Sequence, residues 1–274
     1  MAEDKAPKET VIERKPRIFM NGFPKSGLHL AILMARTIEK LPAYEPPWCG
    51  SFTHNAWSTE YRPLAQMLAG LNRITDGTWL KGHMGYLPVV EQYLYWHGVA
   101  MSFIYRDLRD VLVSQSYHVI DENDEKFYHP GKDIFRAMNH EDRLMACLCG
   151  IGQYSGLFER WRLYAPWLNV PWVHKIKFED MIHNRENTAR AFFEYTWDRT
   201  AHGLVEVVAD REELANRYTE AIVHNMGITA ASSTYRKGKT GGWREEFTPA
   251  VTEEFKRRCG DWLIYLGYEE NHEW

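Results

Sequence analysis

The chain has 274 residues, 45% hydrophobic and 26% charged, with 33 basic against 37 acidic side chains and a net charge of −4. Such a chain can bury a sizeable core, and its weak acidic balance argues against a nucleic-acid coat. No apolar run approaches membrane-spanning length, so the reading is a cytoplasmic protein with no membrane and no nucleic-acid partner.

The opening MAEDKAPKETVIERKPR mixes both charge signs, has almost no apolar content and carries no signal-peptide pattern. Residues 1–16 therefore read as a disordered tail and 17–274 as a single domain. Short apolar runs at 17–23, 98–106 and 172–180, with a fourth candidate at 77–83, read as buried parallel strands. Helical patterns fall at 28–41, 87–97, 108–120, 139–165, 184–196 and 249–267. Strands alternating with helices predict an α/β protein whose parallel sheet is covered on both faces. Two stretches, 42–63 and 121–138, read as long surface excursions, which in compact domains serve as functional lids or stay disordered.

Cys49, Cys147, Cys149 and Cys259 show no zinc spacing, so reduced buried thiols are expected. Cys147 and Cys149 are expected to share a helix and point in different directions. Eleven Trp and fifteen Tyr suit a large core, or a pocket for a flat or apolar ligand.

Four stretches carry chemistry. The first, NGFPKSGLHL (21–30), lies between a strand and a helix, where backbone N–H groups and the helix dipole make an anion site. Gly22 and Gly27 have the separation of a nucleotide-binding P-loop, but Leu28 and His29 follow, so the metal-holding hydroxyl is missing. Lys25 has moved inside the loop, placed to face charge on a transferred group. Read alone, the stretch could equally be an ordinary strand-to-helix turn.

In the second, LKGH, Lys81 and His83 are two residues apart and share one face of an extended segment. They suit an electrophilic stabiliser beside a general base, although a structural histidine at a strand end reads as well. In the third, Arg106 ends a strand and Ser114 follows eight residues later, giving a second anion site. Its bland counterpart is a capped helix with surface arginines, Asp107 or Asp110 serving the cap. The fourth, RKGKTGGWREEFT (236–248), crowds Arg236, Lys237, Lys239 and Arg244 among glycines that can close over a phosphate, or simply form a basic surface loop.

In order and content these stretches resemble the sulfotransferase family that uses 3′-phosphoadenosine 5′-phosphosulfate (PAPS). The family's 5′-phosphosulfate loop reads roughly [YF]PKSGT[TS]W, and FPKSGLHL matches its first five positions. KGH matches its strand-end K-x-H; Arg106, Asp110 and Ser114 match its 3′-phosphate motif. RKGKTGGWREEFT matches its late Gly-rich segment, and KFEDMI (177–182) resembles its YEDM strand end. The resemblance spans about residues 17–268.

It implies a three-layer α/β/α fold of the P-loop NTPase-like sulfotransferase type. It implies transfer of a sulfuryl group from PAPS, leaving 3′-phosphoadenosine 5′-phosphate (PAP), with no metal. His83 would be the general base, with Lys25 on the leaving phosphate and Lys81 on the sulfuryl oxygens. Cofactor-binding residues would be Lys25, Ser26, Gly27, Leu28, His29, Arg106, Ser114, Phe178, Arg236, Lys237 and Gly238.

Departures from the family pattern fall on one hydroxyl to the 5′-phosphate, on adenine recognition and on dimerisation. Leu28 and His29 stand for a Thr pair, Leu30 for a Trp, Phe178 for a Tyr, and Gly242 for a common Asp. Arg244, Thr248 and Glu253 fit the family's dimer signature but Pro249 takes a Val position, so monomer and homodimer both stay open. The resemblance implies a small-molecule acceptor carrying a hydroxyl or amine, with Trp48, Phe52, Trp57, Tyr61 and His83 expected to line its side of the site. Two alternatives remain: a metal-dependent P-loop nucleotide kinase, with Asp107 as the metal-holding acid, and a non-catalytic nucleotide sensor on the same fold.

Overall fold

A computed structural model describes residues 16–39, 52–53, 63–120, 131–201, 211–228 and 240–274. Residues 1–15 of the expected tail lie outside the described residues.

The strands, in chain order, are β1 (Arg17–Gly22), β2 (Phe52–Thr53), β3 (Trp79–His83), β4 (Val99–Tyr105), β5 (Gly150–Ile151), β6 (Tyr154–Ser155) and β7 (His174–Lys177). Five of them form one parallel sheet in the order β2-β3-β1-β4-β7, while β5 and β6 make a separate antiparallel hairpin. From β1 the chain crosses to one side of the sheet, through β2 and β3, and then returns to the other side with β4 and β7. A crevice at the carboxyl ends of the strands is expected where the order reverses in this way.

Side-chain alternation along the central strands feeds two cores. Ile18 and Met20 of β1, Trp79 of β3 and Ile104 of β4 pack on one face with α1 (Leu28–Glu39). Phe19, Leu80, Met101 and Phe103 pack on the other with α2 (Leu64–Leu71), α3 (Pro88–Trp96) and α4 (Leu108–His118). That second face also takes α5 (Lys132–Ala137), α6 (His140–Cys149) and α7 (Leu157–Tyr164). The first is completed by α8 (Phe178–His183), α9 (Arg185–Ala201) and α10 (Arg211–Ile228). The last helix, α11 (Pro249–Tyr265), returns to the second face through Val251, Phe255, Cys259 and Leu263. This is the three-layer α/β/α arrangement that the sequence implied, and Cys147 and Cys149 do share α6.

The differences have local causes. The pattern at 139–165 is not one helix, because α6 ends at Gly150, whose φ of +89° continues no helix. The hairpin follows, and α7 starts after Gly156, where a Cβ would strike the Leu148 carbonyl oxygen at 2.6 Å. The strand read at 172–180 is four residues long, with α8 beginning at Phe178. Helix α10 was not foreseen, yet Ala215, Tyr218, Ile222 and Met226 recur at helical spacing and are buried against α1 and α9. Burying each large side chain of that kind contributes about 1.5–3 kcal/mol.

The C-terminal segment is fastened by one buried cation. Arg109 donates to both carboxylate oxygens of Asp107, at 2.7–3.1 Å, and to Glu269. Its guanidinium also lies 4.0 Å from the Trp243 ring centroid and 4.5 Å from that of Trp274. Arg109→Ala should lower unfolding stability by about 3–5 kcal/mol in urea titrations, because it strands buried carboxylates. A change below about 1 kcal/mol would contradict that role for the cation.

Candidate functional site

Three of the four stretches meet at the carboxyl ends of β3, β1 and β4. The β1–β3 register sets Met20 beside Lys81 and Asn21 beside Gly82, and the β1–β4 register sets Gly22 beside Ile104, two residues before Arg106. Asn21 is fully buried and clamps the end of β3: its Nδ2 donates to the Met84 carbonyl at 2.9 Å, and its Oδ1 accepts from the Met84 N–H at 2.8 Å. A polar residue inside the apolar run IFMNGF is the sequence signal for that clamp.

The loop after β1 is held in a strained form. Lys25 has a φ of +70°, a left-handed conformation uncommon outside glycine. Ser26 is fully buried, and its hydroxyl donates to the carbonyls of Phe23 at 2.6 Å and Ile104 at 2.9 Å. That hydroxyl therefore ties the loop to β4 instead of pointing outward. Gly27 has a φ of +92°, and a Cβ there would lie 2.3 Å from the Phe178 ring. Helix α1 starts at Leu28 with no acidic residue in its first turn, so the positive helix end is available to an external anion. The Leu28 side chain is buried in the core, and His29 is exposed beside it.

His83 ends β3, and its Nδ1 lies 2.7 Å from the Gly22 carbonyl oxygen. A carbonyl only accepts, so Nδ1 carries the proton and Nε2 is left as the basic nitrogen. Burial, opposed by that hydrogen bond and reinforced by the charges of His29, Lys25 and Lys81, pushes the His83 pKa down to about 4. Lys81 is also lowered, by burial and then by the Arg36 charge. Arg36 lies 5.8 Å from the Trp79 ring, on the face of β3 that Lys81 shares, and had not been foreseen as part of the cluster. Mutually repelling cations gathered at strand ends are expected where an anion binds.

Arg106 and Phe178 complete the described part. The Arg106 guanidinium stacks 4.3 Å from the Phe178 ring centroid, and that same ring covers Gly27. Phe178 is thus a buried spacer between the first loop and Arg106. Ser114 is half-buried on α4. Asp107, not Asp110, caps α4, accepting from the Arg109 N–H at 2.9 Å. With its carboxylate also bound to the Arg109 side chain, Asp107 does not suit the metal-holding part given to it in the kinase alternative. Phe52 lies on β2 beside Gly82, with Thr53 beside His83. Trp48, Trp57, Tyr61, Arg236, Lys237 and Gly238 fall outside the described residues. A depression of about 390 Å³ beside the β5–β6 hairpin, lined by Cys149, Tyr154, Glu159 and Arg162 among others, contains none of the foreseen site residues.

A model of the sulfotransferase domain matches residues 15–267. The chain belongs to the sulfotransferase family. Among curated relatives, the flavonol 4′-sulfotransferase of Flaveria chlorifolia is 23% identical over 275 residues, covering 93% of this chain and 81% of that protein. Solved family structures share the fold. Mouse sulfotransferase SULT7A1, crystallised with PAP, has a TM-score of 0.55 at 20% identity, covering 90% of this chain and 86% of that one. Retinol dehydratase with androsterone and inactive cofactor PAP also has a TM-score of 0.55, at 17% identity, covering 91% of this chain and 81% of that one. Among the described residues of this family member, no helix is long and apolar enough to cross a membrane, and no cluster of His, Cys, Asp or Glu is arranged to hold a metal ion.

Gly27→Ala tests the loop. Its φ and the 2.3 Å approach to Phe178 leave no room for a methyl group, so the loop or the ring must move. The substitution should cost about 1–3 kcal/mol of stability and weaken nucleotide binding at least about tenfold. Calorimetric titration beside thermal unfolding reads both, and wild-type values for both would contradict the tight loop–ring contact.

Proposed function

We propose that this protein transfers the sulfuryl group of PAPS to a hydroxyl or amine of a small-molecule acceptor. The observation that carries the proposal is the gathering of Lys25, Lys81 and His83 at the adjoining ends of β1 and β3, with no hydroxyl at Leu28 or His29 after Gly27 to hold a metal. A transferring sulfuryl carries less charge than a phosphoryl, so fixed lysines and backbone N–H groups suffice where a kinase needs Mg²⁺. PAP in the crystals of two family relatives supports the choice of donor.

The acceptor oxygen or nitrogen bonds to sulfur, and its proton passes to Nε2 of His83. The bond from sulfur to the bridging oxygen breaks, and its electron pair leaves on the 5′-phosphate of PAP. Lys25 meets the charge developing on the bridging oxygen, and Lys81 the sulfuryl oxygens. Backbone N–H groups of Gly27, Leu28 and His29 face the 5′-phosphosulfate at the start of α1, with Ser26 holding the loop. Arg106, Ser114 and the Arg236–Lys237–Gly238 run take the 3′-phosphate. Phe178 supports Arg106 and offers an apolar wall for the base. The acceptor-binding residues in this reading are His83, Phe52, Trp48, Trp57 and Tyr61. A cytoplasmic location fits this use of a nucleotide donor. A sensor has no use for a base such as His83, which argues against the non-catalytic alternative.

A base whose pKa is near 4 is weak at neutral pH, and the donor itself supplies the correction. Its negative charge offsets Lys25, Lys81 and His29, which favours the protonated imidazole and raises the His83 pKa toward neutrality. NMR titration of the His83 ring should show a rise of about one unit or more when PAP binds. His83→Ala should lower single-turnover sulfuryl transfer by roughly 10²-fold or more while changing PAP affinity less than about threefold. Activity of the wild type should fall as pH drops through the donor-bound pKa, where His83 becomes charged. Unchanged single-turnover rates in His83→Ala across the pH range would contradict the assignment.

A further inference from the structure

Asp110 has a carboxylate only 3% exposed, close to the anion site, where a negative charge would ordinarily oppose ligand binding. Its partners explain its presence. Oδ2 accepts from the Gly241 N–H at 2.8 Å and lies 3.4 Å from Nη2 of Arg106, while Oδ1 accepts from the Trp243 N–H at 3.1 Å. The carboxylate thus spans two backbone donors of the Gly241–Trp243 turn and one fork of the Arg106 guanidinium. Gly241 has a φ of +77°, which brings its N–H and that of Trp243 onto one acceptor group.

The same turn is anchored a second time farther along α4. Asp110, Ser114 and Tyr117, at i, i+4 and i+7, fall on one helix face. The Tyr117 hydroxyl donates to Glu246 at 2.9 Å, and His140 Nε2 lies 2.8 Å from the same carboxylate oxygen. Residues 241–246 therefore run along the face that carries Ser114, tied at Asp110 on one side of it and at Tyr117 on the other. From this placement we infer that Asp110 is a positioning residue: it sets the plane of the Arg106 fork and seats the Gly241–Trp243 turn on α4, so that the 3′-phosphate meets Arg106 and Ser114 already in place. The inference rests on the proposed PAPS-type donor site. Two N–H bonds and the guanidinium largely neutralise the carboxylate, so what Asp110 gives is orientation of Arg106 at a small electrostatic penalty.

The test uses the full chain and two ligands that differ only in the 3′-phosphate. Asp110→Asn keeps the size and one acceptor, but sets an NH₂ group against a backbone N–H or against Arg106. It should weaken PAP about 10- to 100-fold, the loss of one or two charge-assisted bonds, and AMP less than about threefold. In an Arg106→Ala background the same substitution should have much less effect on PAP, because the group that it orients is gone. Hydrogen exchange without ligand gives an independent reading. The amides of residues 241–246 should exchange at least about tenfold faster in Asp110→Asn, with α1 and α9 unchanged. Equal losses for PAP and AMP, or a full effect on PAP without Arg106, would mean a general structural part and overturn the inference. So would wild-type PAP affinity in the variant. Should the wild type itself bind PAP and AMP alike, the donor site is what fails, and the inference falls with it. That result is distinguished by appearing before any residue is changed.

Discussion

β1 is hydrogen-bonded in parallel to β3 along one edge and to β4 along the other, and the two registers hold the site together. Because the three strands run the same way, their carboxyl ends finish side by side. Lys25, the Lys81–His83 pair and Arg106, far apart in sequence, become neighbours through backbone pairing alone. Asn21 fixes the end of β3 by its paired bonds to Met84, and the Ser26 hydroxyl fixes the loop to β4 through the Ile104 carbonyl. Both polar groups are fully buried and hydrogen-bonded to backbone, which stiffens the crevice edge.

That rigidity holds an arrangement that is unfavourable alone. Lys25, His29, Lys81 and Arg36 repel one another or His83, and the first loop stores a left-handed lysine. Each such strain costs on the order of 1–3 kcal/mol, so the surrounding packing must over-determine the shape. Phe178 is part of that packing: it fills the space above Gly27 and stacks on Arg106, joining the first loop and Arg106 through one ring. In the proposed function, anion binding would relieve the repulsion, giving affinity and preorganisation the same origin.

The central sheet was legible because β1 and β4 are buried runs with few polar interruptions, and the candidate site residues because each motif lies on one short segment. The sequence was less informative where long-range contacts decide. Helix α10 had a helical apolar stripe, but the polar residues between stripe positions masked it. The stretch 139–165 kept helical spacing across Gly150 and Gly156, whose backbone breaks the helix and turns the chain into a hairpin. Two-residue β2 is too short to carry a period and exists through pairing with β3. At the site, Asp110 was visible as a motif member but not as the holder of Gly241 and Trp243, since 131 residues separate Asp110 from Gly241. Thr248 and Pro249, read against a dimer signature, form the cap and first position of α11.

Metal-free recognition of a nucleotide carrying both 3′- and 5′-phosphates is the claim on which the site stands. Isothermal titration of the full chain with PAP in excess chelator, beside ADP with Mg²⁺, tests it most directly. PAP should bind with chelator present and at least about 10²-fold more tightly than ADP with Mg²⁺, because two or three charge-assisted bonds to the 3′-phosphate are absent from ADP. Tighter binding of ADP with Mg²⁺, or loss of PAP binding in chelator, would contradict it and restore the kinase alternative.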